Sequence, residues 1–119
     1  MNILIVEDND IQLQSLYKIL SEKYTEDSFT YMLADNYDEA ICIINTNNID
    51  IFILDIALGD NPNGGIDIAR FIRFKKNMPY TPIIFITSIA TQITTGTQRI
   101  ALLQLYLQTI QTRRCIFCF

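Results

Sequence analysis

Three acidic side chains follow two strongly apolar stretches of this sequence. Asp55 comes directly after Ile51–Leu54, and Glu7 and Asp8 come directly after Ile3–Val6. A short, unbroken apolar run is typical of a strand that is buried on both faces, as in a parallel sheet. The carboxyl ends of such strands form the edge at which open α/β sheets bind ligands. We therefore predict that the three carboxylates share one crevice.

A crevice that holds several carboxylates favours a bound cation. Two unit negative charges about 5 Å apart repel each other by roughly 3 kcal/mol at an effective dielectric constant of about 20. Carboxylate oxygens suit Mg²⁺, which binds one or two of them and keeps positions for water and phosphate oxygens. Thr87 follows the apolar run Ile83–Ile86 and adds a hydroxyl that can bond a phosphoryl oxygen. The cluster therefore predicts a Mg²⁺ site that leaves room for phosphate oxygens.

The segments that would position these residues alternate between strand and helix patterns. The predicted strands are 2–6, 29–33, 51–54 and 82–86; the predicted helices run from Ile11 to Tyr24, from a cap at Asp35 or Asn36 through Ile44, and from about Ile66 to a stop at Asn77 and Pro79. This alternation favours right-handed crossovers between parallel strands. The predicted fold class is therefore α/β, a doubly wound parallel sheet with helices on both faces. The turn-forming run 59–65 predicts a sharp bend after the third strand.

Length and composition limit the possible classes of protein. The 119 residues suit a single domain, residues 1–119, and half of them are hydrophobic, which argues against disorder. No apolar run approaches the roughly 20 residues of a membrane span, and no signal-peptide layout is present, so we expect a cytoplasmic protein without membrane contact. The net charge is -4, and the basic residues after Asp67 are spread without stacking aromatics. We therefore expect no direct binding of nucleic acid.

The pattern as a whole resembles a known family. Residues 1–88 resemble a response regulator receiver domain, with the CheY-like fold and its flavodoxin-like strand order. The resemblance rests on the pair Glu7-Asp8, on Ile53–Ile56 followed by the helix start Gly65–Ala69, and on Pro82–Ser88. The glycine pair Gly64-Gly65 and the Thr87-Ser88 pair are most similar to regulators whose receiver precedes a LytTR-type DNA-binding domain. The resemblance implies a two-component phosphorelay that regulates an output such as transcription.

The resemblance also implies a role for each candidate residue. It makes Asp55 the phosphoacceptor, and it makes Glu7, Asp8, Asp55 and the backbone carbonyl of Ala57 the ligands of Mg²⁺. It makes Thr87 the switch hydroxyl. The phosphoryl donor in this family is a phosphohistidine on a sensor histidine kinase. The chain would then be a phosphoacceptor that assists its own Mg²⁺-dependent phosphorylation, not an enzyme in the usual sense, and its sequence contains no output domain.

Residues 89–119 depart from the family pattern. Tyr106 falls where the family often has its switch aromatic, but the position of the family's lysine is held by Thr109, and no lysine follows Lys76. An arginine from the tail would not be an equivalent replacement, because its guanidinium is a planar fork and not a compact ammonium. An alternative function follows from the missing lysine. The chain would then be a phosphorylation-independent interaction or dimerisation module with a receiver fold.

Two structures are compatible with the tail sequence. Apolar residues recur there at helical spacing, at Ile93, Ile100, Leu103, Leu107 and Ile110. One long helix from Thr97 to about Arg114 would replace the fifth strand, whereas a family-like short strand would lie at 105–110. The helix would leave the fourth strand as an exposed apolar edge, which predicts a homodimer through residues 93–110. A tail translated out of frame is a further explanation of the same pattern.

Overall fold

The structure is a computed structural model that describes residues 1–24 and 29–86. Its elements in chain order are β1 (Asn2–Val6), α1 (Asp10–Lys23), β2 (Thr30–Ala34), α2 (Tyr37–Thr46), β3 (Ile51–Asp55), α3 (Gly64–Arg70), a π-helical turn (Phe71–Lys75) that continues α3, and β4 (Ile83–Ile86). Every strand and helix predicted within these ranges is present, with ends that differ from the predicted ones by about two residues or fewer.

The strands form one parallel sheet in the order β2-β1-β3-β4. This arrangement confirms the predicted parallel α/β sheet and its flavodoxin-like strand order. Val6 lies beside Leu54 in the β1–β3 pair, and Asp55 lies beside Ile86 in the β3–β4 pair. The carboxyl ends of β1, β3 and β4 therefore meet at one edge of the sheet.

Both faces of the sheet are buried at the neighbouring strands β1 and β3, as their unbroken apolar runs predict. Every residue of β3 is buried, including its terminal Asp55. Side chains of successive strand residues point to opposite faces, so neighbouring residues of β1 belong to two separate core clusters. One cluster packs Ile3, Ile5, Ile51 and Ile53 against Leu13, Leu16 and Leu20 of α1. The other packs Leu4, Val6, Phe52 and Leu54 against residues of α2 and α3 that include Ala40, Ile44, Ile68 and Ala69.

Two asparagines start the helices that follow β1 and β2. The side chain of Asn9 accepts a hydrogen bond of 3.1 Å from the backbone N–H of Gln12. The side chain of Asn36 accepts one of 2.8 Å from the backbone N–H of Glu39, which identifies Asn36 as the cap of α2. Such caps satisfy N–H groups that have no partner within the helix. Because Asn9 directly follows Asp8, α1 begins immediately after the first acidic pair.

The end of the third helix is wound more loosely than the sequence pattern predicts. The backbone N–H of Lys76 donates to the carbonyl oxygen of Phe71 at 3.0 Å, which spans five residues and defines the π-helical turn. The guanidinium of Arg73 donates to the carbonyl oxygens of Met78 and Thr81, each at 2.7 Å. Asn77 has a positive φ of 53° and ends the helical path, as predicted. The segment before β4 is therefore held by a side chain of the helix.

The predictions for the C-terminal tail lie outside the described residues. These are the long helix, the alternative strand at 105–110 and the dimer surface at 93–110. Across residues 1–24 and 29–86, no helix combines the length and the apolar character needed to cross a membrane.

Candidate functional site

Asp55 is the last residue of β3 and is buried, with 6% of its surface exposed. The parallel ladder continues past it, because the backbone N–H of Ile56 donates to the carbonyl oxygen of Ile86 at 3.0 Å. The backbone around Asp55 is therefore fixed on the β4 side. The carboxylate lies where the sheet ends and the following loop begins, as the sequence predicts.

Glu7 and Asp8 follow β1 on the strand that neighbours β3. The backbone N–H of Glu7 donates to the carbonyl oxygen of Ala34 at 3.1 Å, which extends the pairing of β1 with β2 by one residue. The side chain of Glu7 is buried, with 2% of the residue exposed, whereas Asp8 is exposed. One acid of the pair is thus held inside the sheet edge and the other faces solvent.

The three carboxylates come together as the sequence predicts. One oxygen from each of Glu7, Asp8 and Asp55 lies within 4.8 Å of the other two. Burying two carboxylates this close together is costly unless positive charge is also present, since burial removes the water that would screen their repulsion. An all-oxygen donor set with one exposed member fits a hard divalent cation that keeps some of its waters. The residues present therefore fit Mg²⁺.

The loop after β3 contributes backbone groups to this region. Ala57, whose carbonyl is a predicted metal ligand, lies two residues beyond Asp55 and is half-buried. Farther along, Gly59 donates its backbone N–H to Oδ2 of Asp8 at 3.0 Å. The sequence predicts a sharp bend here from its glycines and asparagines, but it gives no sign of this bond to Asp8. Gly59 and Asp8 are 51 positions apart in the chain, so their contact becomes visible only in the folded structure.

Gly65 packs directly against the backbone of Asp55. A Cβ atom at Gly65 would lie 2.0 Å from the carbonyl oxygen of Asp55 and 2.8 Å from its carbonyl carbon. The N–H of Gly65 donates to the carbonyl oxygen of Ile56 at 2.8 Å. The first turn of α3 therefore touches the end of β3 at a separation that a side chain does not permit. The sequence predicts Gly65 at the helix start, but its pattern carries no signal of this contact.

Three other predicted site residues lie outside the described residues. They are Thr87, predicted as the switch hydroxyl, Tyr106, predicted as the switch aromatic, and Thr109, at the position of the family's lysine. The structure thus brings together Glu7, Asp8 and Asp55, with Ala57 in the adjoining loop.

Comparisons with known proteins give one family match and several similar structures. The family model of the response regulator receiver domain matches residues 3–105. The non-phosphorylated receiver domain of HemR from Leptospira biflexa is 29% identical, with a TM-score of 0.56, and the match covers 82% of this chain and 74% of that one. The response regulator TrrA from Thermotoga maritima, solved in complex with Mg²⁺ and BeF, is 27% identical, with a TM-score of 0.54 and coverage of 82% and 79%.

A third similar structure covers almost all of this chain. The response regulator RcsB of Salmonella typhimurium has a TM-score of 0.71 and 18% identity over 99% of this chain, which supports the fold alone. This chain spans only 63% of the length of that RcsB chain. No curated protein sequence matches this chain.

Proposed function

The chain belongs to the response regulator receiver domain family, and from that premise we propose that it accepts a phosphoryl group on Asp55 with the help of Mg²⁺. The proposed donor is a phosphohistidine of a sensor histidine kinase. Phosphorylation would change a surface that a partner or an output domain reads, with regulation of transcription as the expected outcome. We further propose that residues 1–119 act as a single receiver unit.

The observation that carries this proposal is the cluster of Glu7, Asp8 and Asp55. Its oxygens lie within 4.8 Å of one another, and it stands at the carboxyl edge of a parallel sheet. A structural role would not require two buried carboxylates at one strand edge, because each adds a desolvation cost. The TrrA structure, which contains Mg²⁺ and BeF, adds support from a relative of 27% identity.

The proposed roles follow from the position of each group. Glu7, Asp8 and the Ala57 carbonyl would hold the metal, together with one oxygen of Asp55. The other oxygen of Asp55 would attack the phosphorus atom, forming an O–P bond while the P–N bond of the phosphohistidine breaks and the imidazole leaves. Bound Mg²⁺ would neutralise charge on the phosphoryl oxygens and align them with the nucleophile. Asp55 is buried, and its burial would limit the access of water to the reacting atoms.

The switch is proposed to depend on Thr87, whose hydroxyl would bond the phosphoryl group and so favour one of two pre-existing conformations. Thr87 directly follows Ile86, which is paired with Asp55 across β3 and β4. This adjacency along the chain supports the proposed role. Tyr106 is proposed as the aromatic that accompanies this change, and residues 93–110 as a surface through which two copies associate.

Intact-mass spectrometry with a small phosphodonor tests the proposal. The full chain is incubated with acetyl phosphate, with and without Mg²⁺, beside Asp55→Asn and the control Asp38→Asn. Asp38 is an exposed carboxylate in the first turn of α2, so its substitution leaves the acidic cluster intact. We expect a mass increase of one phosphoryl group in the wild type and in Asp38→Asn, only with Mg²⁺, and none in Asp55→Asn.

The same experiment separates the proposal from its alternative. The sequence has no lysine after Lys76, and this observation favours an interaction module that has lost phosphorylation. A folded wild-type chain that binds Mg²⁺ but gains no mass would reject the phosphoacceptor function and support that module. An adduct of equal yield in Asp55→Asn would reject the assignment of Asp55.

A further inference from the structure

A small hairpin over residues 58–61 lies in the loop between β3 and α3. Its ends pair as an antiparallel bridge: Leu58 donates its N–H to the carbonyl oxygen of Asn61 at 2.9 Å, and the reciprocal bond measures 3.0 Å. Gly59, at its tip, has a φ of 56°, which a residue with a side chain rarely adopts. These bonds give the 58–61 hairpin a defined shape.

The 58–61 hairpin is attached to the protein at both ends. Leu58 is 6% exposed and belongs to the core cluster that includes β3 and α3. The side-chain amide of Asn61 donates to Oδ2 of Asp67 in α3 at 3.0 Å. The backbone carbonyl oxygen of Asn61 accepts from the N–H of Gly64 at 3.3 Å. The position of the hairpin tip is therefore set by the core on one side and by the helix on the other.

The tip of the hairpin contacts the exposed member of the acidic cluster. The N–H of Gly59 donates to Oδ2 of Asp8 at 3.0 Å. Hydrogen bonds to a carboxylate are stronger than those between neutral groups. A surface aspartate would otherwise sample several rotamers, whereas a fixed backbone donor favours one orientation. Asp8 is thus restrained by a loop that lies far from it in the sequence.

We propose that the 58–61 hairpin positions Asp8 as a metal ligand, and that Asn61 is the positioning residue that holds the hairpin in place. The inference rests on the proposed function, in which Asp8 binds Mg²⁺. The Gly59 N–H occupies one carboxylate oxygen and so orients the group as a whole. Groups that orient a ligand without touching the metal typically contribute 10- to 100-fold to metal affinity. Since Asn61 acts on Asp8 through the backbone of Gly59, a smaller effect is expected.

A pair of asparagine variants tests this inference directly. Asn61→Ala removes the bond to Asp67 and the bond of 3.0 Å that Oδ1 of Asn61 accepts from the backbone N–H of Asn63. Asn63→Ala keeps that N–H and removes only a neighbouring side chain that makes no capping hydrogen bond. The dissociation constant of Mg²⁺ is measured by isothermal titration calorimetry on the full chain. The Gly59 amide is followed by NMR without metal. We expect Asn61→Ala to weaken Mg²⁺ binding by about 3- to 10-fold, and Asn63→Ala to match the wild type.

The NMR signal separates positioning from general damage to the fold. In Asn61→Ala we expect the Gly59 amide proton to move upfield and to exchange faster, while signals from β1 and β3 stay in place. If Asn61→Ala unfolds the chain, Asp67→Ala is measured in its place, because it removes the bond between Asn61 and Asp67 from the acceptor side. Equal Mg²⁺ affinity in Asn61→Ala and the wild type would overturn the inference and leave the proposed chemistry at Asp55 unaffected. A wild-type chain that binds no Mg²⁺ would overturn the proposed function itself, and with it the metal role of Asp8.

Discussion

Substituting Gly65 by alanine tests how tightly α3 is fitted to the end of β3. The added Cβ would lie 2.0 Å from the Asp55 carbonyl oxygen and 3.0 Å from Cα of Ile56. Ordinary contacts between carbon and a carbonyl oxygen lie at about 3.3 to 3.6 Å. The helix start must therefore move away by more than about 1 Å, and the atoms in its path are backbone atoms that cannot rotate aside. The displacement would also break the bond of 2.8 Å from Gly65 to Ile56.

The cost of Gly65→Ala can be worked out from these two effects. Overpacking in a well-packed region costs roughly 1–3 kcal/mol, and the loss of one hydrogen bond costs about 1 kcal/mol. The expected loss in free energy of unfolding is therefore about 2–4 kcal/mol. With a urea slope of about 2 kcal/mol per molar, the unfolding midpoint would fall by about 1–2 M. The shift would also displace Asp55, so weaker Mg²⁺ binding is expected in whatever fraction remains folded.

Urea unfolding followed by far-UV circular dichroism measures this cost, with Gly59→Ala as the matched control. A Cβ at Gly59 would meet no atom within 4 Å, so its only cost is the positive φ of 56°. That conformation costs roughly 1–2 kcal/mol for a residue with a side chain. A Gly65→Ala chain no less stable than Gly59→Ala would refute the argument from close contact.

Three further predictions concern the elements that support the site. Asn36→Ala should lower the free energy of unfolding by about 1 kcal/mol because α2 loses its capping bond, and Asn9→Ala should do the same for α1; urea titration measures both. Arg73→Ala should cost about 2–4 kcal/mol because two carbonyl oxygens lose a charged donor, and an unchanged urea midpoint would reject this role. Burial, with smaller contributions from Tyr24 and Tyr17, raises the pKa of Tyr31 above its usual 10.0. As pH rises, Tyr31 therefore ionises in the unfolded chain before it ionises in the folded one. The contribution of neutral Tyr31 to the free energy of unfolding is fully present below pH 10.0 and is lost as pH rises through the higher pKa of the folded state. In thermal melts at increasing alkaline pH, the melting temperature of Tyr31→Phe should fall less steeply than that of the wild type.

Much of the sheet and of the acidic cluster could be predicted from the sequence, because both depend on local patterns. A run of apolar residues that ends in Asp55 has one natural position in an α/β fold, the interior of the sheet with the acid at its carboxyl edge. The same holds for Ile3–Val6 followed by Glu7 and Asp8. Once parallel order places β1 beside β3, the carboxylates must meet. The structure adds the separation of the three carboxylates, within 4.8 Å, and the burial of Glu7 and Asp55 beside an exposed Asp8, which the pattern could not give.

The third helix and its preceding loop were harder to predict, because their shape depends on contacts between distant residues. The sequence places Gly65 both in the turn-forming run and at the helix start, but it gives no sign that this glycine lets the first turn of α3 contact the backbone of Asp55. The π-helical turn has no sequence signal of its own; it occurs where Arg73 reaches two carbonyl oxygens of the next segment. The bond from Gly59 to Asp8 joins residues that no periodicity relates.

Under the proposed function, Mg²⁺ binding would depend on the acidic cluster and its loop, whereas the rate of phosphorylation would depend on the tail as well, so the two can be measured separately. The carboxylate cluster stands at the ends of β1 and β3. The groups proposed to complete or orient it, the Ala57 carbonyl and the 58–61 hairpin, also precede the tail. The sequence predicts that Thr109, in the tail, holds the position of the family's lysine, and a lysine ammonium there would be expected to contact the phosphoryl group rather than the metal. Loss of that lysine should consequently leave Mg²⁺ affinity unchanged and slow only the gain of mass from acetyl phosphate. Thr109→Lys tests this division: faster phosphorylation at constant Mg²⁺ affinity would support it, and a change in Mg²⁺ affinity would contradict it.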